Sequence, residues 1–538
     1  MDLPLAQDGS LPPLPALLRW LGAVTDEGVT ALRLRSGPPR DDACLPDLLA
    51  RAGISTVLWP GCPVESCWWE GPAGGRIALL RTAGPPPSAV HHGSLNAPWG
   101  GGDGDPAAIH ALVAMARLED AAAALTGGGG AAWDAILSGL GLADTPRIPP
   151  ALIRPRSSGN GAWNPLAFAR RAVLAQPVRG DETAPWAVRD AGGAIEPVQV
   201  TEGPLGREWL CSLDLGAGAA TTLTPLDADA PTCHWEVTPA VLDNGRVRAE
   251  LDDRGRIARL CVDGRFVDLE GPLADPRRDG GSLPGAAAVT VLEEGPVRAR
   301  IAVAMEAADG RLDLVYTLHA HEDCLRIQAA WSGDPERAPV LAHPLRLRGA
   351  DLVGAGDLAR RRFPVAASVR RGPMAPEPGW RWAELDDAGG RGLLLAAPAP
   401  IVLRAEAGCL EVWLDGTTAW ALTATRAQPG LLAEHLAMGL RPCDLPARAP
   451  LLRWGDLGGL VPRWLARRGD EIELLCVDQR GCRGRAVLHP APGPALPAAR
   501  ICDPAGRTVV ALAPVRERDG WRIDYEPGEV LAIRWAAP

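Results

Sequence analysis

The chain has 538 residues, more than one hydrophobic core organises, so two to four domains are expected. All 55 basic residues are arginine against 65 acidic ones, and a net charge of −10 without a basic run argues against a nucleic-acid partner. No stretch reaches the roughly 18 apolar residues of a membrane span, and the patch from Leu14 to Val24 is broken by Arg19 and lacks a basic segment before it. No membrane association and a cytoplasmic location are therefore expected.

In chain order, the first element is an amphipathic helix end within Asp47 to Ile54, stopped by Gly53 and followed by a short apolar strand, Ser55 to Trp59. A second strand, Gly75 to Arg81, follows Cys67-Trp68-Trp69-Glu70-Gly71, and together these read as the tail of a parallel α/β unit. Residues 84 to 105 are a Pro- and Gly-dense loop. Pro106 to Leu125 has helical spacing (Ile109, Leu112, Val113, Leu118), begins at a proline and stops at Gly127 to Gly130. A further helix is expected from Ala131 to Leu140.

From Leu166 onward the texture becomes strands of five to eight residues split by Gly, Asp and Pro turns, without long helical periodicity. Val247 to Leu251, Val297 to Ala304, Leu312 to Leu318 and Leu325 to Trp331 are examples. Arginine alternating with apolar residues after Gly245 and after Pro296 predicts strands with one buried and one charged face. Residues 333 to 340 and 487 to 498 read as Pro-rich turns or surface loops.

Few residues group in a way that suggests chemistry. The 12 cysteines form no C-x-x-C pair; the closest spacings, Cys62 with Cys67 and Cys476 with Cys482, fit small buried apolar residues better than a zinc site. His91-His92 with Asp103 and Asp105 is a loop whose adjacent imidazoles point apart if extended. Strand alternation would put His319, His321 and Asp323 on one face beside Glu322, which permits a ligand set, although a charged turn is the simpler reading. Trp68, Trp69 and Glu70 are the candidate substrate-binding residues, through stacking of a pyranose on an indole, against a packed pair of core tryptophans. The Gly127 to Gly130 run lacks the lysine and spacing of a phosphate loop.

Two strings, Trp163-Asn164-Pro165-Leu166 and Leu242-Asp243-Asn244-Gly245-Arg246-Val247-Arg248 with Asp253-Arg254-Gly255-Arg256-Ile257 behind it, resemble the entries to the β-domains of family 38 glycoside hydrolases, the class II α-mannosidases. The resemblance begins near Leu45, runs through Trp68-Trp69-Glu70-Gly71, and continues through Gly295-Pro296-Val297, Leu325-Arg326-Ile327, Trp382-Ala383-Glu384, Leu422-Thr423-Ala424 and Gly528-Glu529-Val530 in order. It implies a mainly β fold: a galactose-mutarotase-like β-supersandwich with additional β-sandwich domains, preceded by a partial α/β barrel remnant and a short helical segment. The implied division is 1 to 105 barrel remnant, 106 to 150 helical segment, 151 to 232 first β-sandwich, 233 to 450 supersandwich and 451 to 538 C-terminal β-domain.

The family's retaining chemistry uses two carboxylates about 5 Å apart and a zinc ion held by His and Asp. The first zinc ligands are expected to be missing, since no histidine precedes His91 and the matching region starts late in the barrel. The family's later ligand string matches Trp133 to Arg147, where the metal-binding His and Asp fall on Leu142 and Ala143, which offer no lone pair; no histidine lies between His110 and His234 to restore the site. The expectation is a catalytically degenerate α-mannosidase-like protein without catalytic residues, metal or cofactor, holding a carbohydrate or a partner chain, with a homo-oligomer as another expected form. An active hydrolase completed by a separate front-half chain, and a structural β-protein without a sugar ligand, are the alternatives.

Overall fold

The structure is a computed structural model that describes residues 31–33, 49–50, 54–58, 66–70 and 76–80 and, apart from short gaps, 160–537. The early residues form one four-stranded sheet. Ala31–Arg33, Thr56–Leu58 and Arg76–Leu80 run parallel, and Ser66–Glu70 closes the edge antiparallel to Arg76–Leu80. Leu49 and Ala50 are helical, and the Ile54 amide donates to Leu49 O before the chain extends, so the predicted helix-to-strand step is present. The expected helices at 106 to 125 and 131 to 140 lie outside the described residues.

From residue 160 the chain is almost entirely antiparallel sheet. The predicted strands appear as Val247–Leu251, Arg298–Ala307, Gly310–His319 and Leu325–Gly333. Their burial alternates residue by residue, as the sequence pattern requires: Leu312, Leu314, Tyr316 and Leu318 are buried on one face of their strand. The last three belong to a 13-stranded sheet, on which a five-stranded sheet running from Glu236–Thr238 to Arg265–Phe266, with Val247–Leu251 at its centre, packs through Leu242, Val247, Ala249, Ile257, Leu260 and Val262.

A first sandwich pairs the sheet of Arg170–Pro177, Gly206–Leu215 and Gln199–Gly203 with a five-stranded one. The latter is completed from far along the chain, because Arg441–Cys443 returns to pair with Gly161–Trp163. The C-terminal sandwich, from Leu452–Asp456 to Val530–Ala536, centres on Trp521 and Trp535, whose rings lie 5.5 Å apart. Its core continues into Trp163, Ala167, Ala217 and Ala220, so the first and last sandwiches share one apolar interior.

Two expectations need correction. The β region contains one α-helix among the described residues, Pro429–Ala437. It starts on a proline, where no intrahelical amide is needed, and spans only nine residues, too few for a periodicity to emerge. Within 487 to 498, residues 487–490 are not loop but the end of strand Gly484–Pro490. The span 333 to 340 does hold a tight turn, Pro335–Arg337, capped by the Asp334 carboxylate on the Glu336 amide at 3.0 Å.

Candidate functional site

Both asparagines of the resembling strings are structural fasteners. Asn164 is fully buried; its Oδ1 accepts from the Leu166 amide and Arg170 Nε, and its Nδ2 faces the carbonyls of Phe168, Leu215 and Gly216 at 2.8 to 3.2 Å. The Asn-Pro-Leu turn is therefore clamped to the strand end at Leu215. Asn244 does the same work in the supersandwich: Oδ1 accepts from the amides of Arg246 and Val247, and Nδ2 donates to His319 O and Glu322 O. Gly245, at φ 82, supplies the left-handed residue that lets the hairpin turn here.

Around Glu322 stands a buried group of titratable side chains. Its Oε1 meets His319 Nδ1 at 3.1 Å, His435 Nε2 at 2.9 Å and Arg326 Nη2 at 2.6 Å; Oε2 accepts from Arg326 Nε at 2.8 Å. Cys324 Sγ lies 3.8 Å from the same oxygen. Burial disfavours the Glu322 charge, but Arg326 and the two imidazoles overcome it and hold the carboxyl well below the usual range. Burial also pushes both histidines below their ordinary value, against the pull of Glu322.

The simpler of the two readings holds: residues 320–324 form a charged turn, and His319, His321 and Asp323 do not share a face. The strand ends at His319, the Glu322 amide donates to His319 O, and His321 turns through φ 67, so Glu322 rather than Asp323 swings beneath His319. Both oxygens of Glu322 are engaged by neighbouring side chains. The group acts as a fastener, because His435 sits on the helix Pro429–Ala437, and Arg170 of the first sandwich donates to the carbonyls of His435 and Met438.

No group of three or more His, Cys, Asp or Glu side chains among the described residues stands close enough to hold a metal. Of the described cysteines, five are buried and none is in a disulfide. A cavity of about 950 Å³ opens in the C-terminal sandwich, walled by Ile501, Val510 and Leu512, with Arg483 and Arg485 on its rim. Those arginines are spent on Glu526 and Asp524.

The sequence-derived candidates fall elsewhere. Trp68, Trp69 and Glu70 are on strand Ser66–Glu70, in register with Ala78, Ile77 and Arg76. Leu142 and Ala143, the positions matched to the family's zinc ligands, lie outside the described residues, as do His91, His92, Asp103 and Asp105. The buried pairing of Glu322 with His435 was not legible in sequence, since the partners are 113 residues apart.

At the level of sequence, neither a family model nor a curated protein matches the chain. Structure gives a different result. The whole chain aligns with a protein in the glycosyl hydrolase family 38 from Enterococcus faecalis, with a TM-score of 0.64 over 89% of that chain at 10% identity. It aligns equally with an alpha-mannosidase from Enterococcus faecalis V583, with a TM-score of 0.66 over 90% of that chain, again at 10% identity. The fold is that of the family 38 glycosidases. Within this family 38 fold the strings at Asn164 and Asn244 occupy the turns that open the first sandwich and the supersandwich, and the fastener at Glu322 joins the two. Among the described residues, no helix is long and apolar enough to cross a membrane.

Proposed function

We propose that this protein is a carbohydrate-binding relative of the α-mannosidases that carries no zinc-dependent hydrolysis. The observation that carries the reading is the likeness of the entire chain to family 38 structures, one of them an α-mannosidase, despite 10% identity. A scaffold kept at that sequence distance, with its turn-forming asparagines in place, supports a retained sugar-related role. Leu142 and Ala143 support the loss of hydrolysis: an alkyl side chain has no lone pair for zinc. Those residues do not fit the metal.

A glycan array probed with the full chain separates this reading from a purely structural β-protein. Binding to neutral glycans above the level of a heat-unfolded control is the expected result. A blank array contradicts it.

A further inference from the structure

Both sheets of the C-terminal sandwich end in a short strand. Thr508–Ala511 pairs only with Ala499–Cys502, and Pro514–Val515 reaches only Trp521 and Gly520. Among the described residues, Ile523, Asp524 and Tyr525 therefore have no strand beyond them on that edge. Edges this short cannot close one sheet over the other, and the cavity of about 950 Å³ is walled by residues of both. Its size is at the upper end of the roughly 300–1,000 Å³ of ligand pockets.

The cavity has an apolar wall and a charged rim. Val509 and Val510 are 60% and 49% exposed, and the apolar wall continues into Ile501 and Leu512. On the rim, Arg485 Nε and Arg522 Nε each meet Asp524 at 3.0 Å, and Arg483 Nη2 meets Glu526 at 2.8 Å. These side chains are open to solvent: Arg485 keeps 63% of its surface exposed and Asp524 55%. Because Arg485 and Arg522 reach Asp524 through Nε, their Nη groups are left to other acceptors.

We infer that this cavity binds a neutral glycoside with an apolar aglycone, the alkyl chain against the valine wall and the pyranose on the rim; the inference rests on the sugar-binding reading above. An alkyl chain laid on Val509 and Val510 takes apolar surface of both partners out of water. Sugar hydroxyls donate to carboxylates and accept from guanidiniums, so one ring can use both kinds of rim group. Charge complementarity selects the neutral head. Arg483, Arg485 and Arg522 are balanced by Asp524, Glu526 and Glu529, and an anionic head would have to compete with those acids for the same cations.

Isothermal titration of the full chain below micellar concentrations tests this, with octyl α-mannoside, octyl β-glucoside and their hexyl homologues as probes. Octanoate serves as the charged head and mannotriose as the sugar without a tail. At least one octyl glycoside is expected to bind, about tenfold tighter than its hexyl homologue because two more methylenes leave water. Val509→Glu and Val510→Glu, both on exposed side chains, should each weaken it by about tenfold or more. Arg485→Ala combined with Asp524→Ala keeps the charge balance; it should weaken both glycosides while leaving the octyl-to-hexyl ratio intact. Wild-type affinity in both valine variants, equal affinity for hexyl and octyl homologues, or tighter binding of octanoate than of either glycoside overturns the site. Mannotriose binding without any octyl glycoside binding overturns it too and leaves the sugar-binding reading standing. Absence of heat with every probe overturns both.

Discussion

His343 is fully buried, and its Nδ1 accepts the Ala274 amide at 3.2 Å, which assigns the ring proton to Nε2, with the Trp420 ring edge-on at 5.9 Å. Burial pushes its pKa down to about 3. The unfolded chain therefore binds a proton near pH 6.5 that the folded chain refuses, so stability is fully present above pH 6.5 and is lost as pH falls towards 3. His319 and His435, also lowered, act in the same direction, and Glu322, whose carboxyl is held low, adds its loss at more acidic pH. Thermal midpoints measured from pH 7.5 to 4 should fall steadily below pH 6.5. In His343→Leu the fall should be shallower, while at pH 7.5 the unpartnered Ala274 amide costs about 1–3 kcal/mol. A His343→Leu profile parallel to wild type would contradict the assignment.

Among the elements, the helix Pro429–Ala437 bridges the large sheet and the C-terminal sandwich. Ala433, Leu432 and Leu436 pack on Val353, Trp382, Leu394 and Ala396 of the large sheet. His435 reaches Glu322, and the fully buried Glu434 meets Arg381 of the large sheet at 3.3 Å and Arg463 of the C-terminal sandwich at 2.6 Å. Removing Glu434 leaves two nearly buried guanidiniums without their shared counter-charge, which costs roughly 3–5 kcal/mol. Glu434→Ala should therefore loosen the supersandwich from the C-terminal sandwich. Limited proteolysis reads this as fragments cut between the two units; a variant as resistant as wild type would refute it. This element was hidden in the sequence for a physical reason. Its residues Pro-Gly-Leu-Leu-Ala-Glu-His-Leu-Ala are committed on several sides at once, and the buried Glu434 looks like a solvent-facing charge until its arginines are found. The hairpins, by contrast, were legible: Val247–Leu251 and Gly310–His319 have one wet and one dry face, and such faces write themselves as alternation.

Over the whole molecule, the first and last sandwiches form a continuous interior around Trp163, Ala217, Trp521 and Trp535, with the supersandwich inserted between them in sequence. The order of the β-hairpins could be read ahead of the structure because each asparagine turn carries its hydrogen-bond logic within a few residues, as Asn244 does for Arg246 and Val247. The neighbourhood of the buried Asp275 and Glu411 could not, since they are brought together only by strand order 275–278, 340–344, 409–413. The central claim, a family 38 scaffold that holds sugar without zinc-dependent hydrolysis, is tested most directly by turnover of an aryl α-mannoside by the full chain with added zinc. The account predicts release no faster than with heat-inactivated protein. Turnover well above that control, abolished by a chelator and restored by zinc, would contradict it.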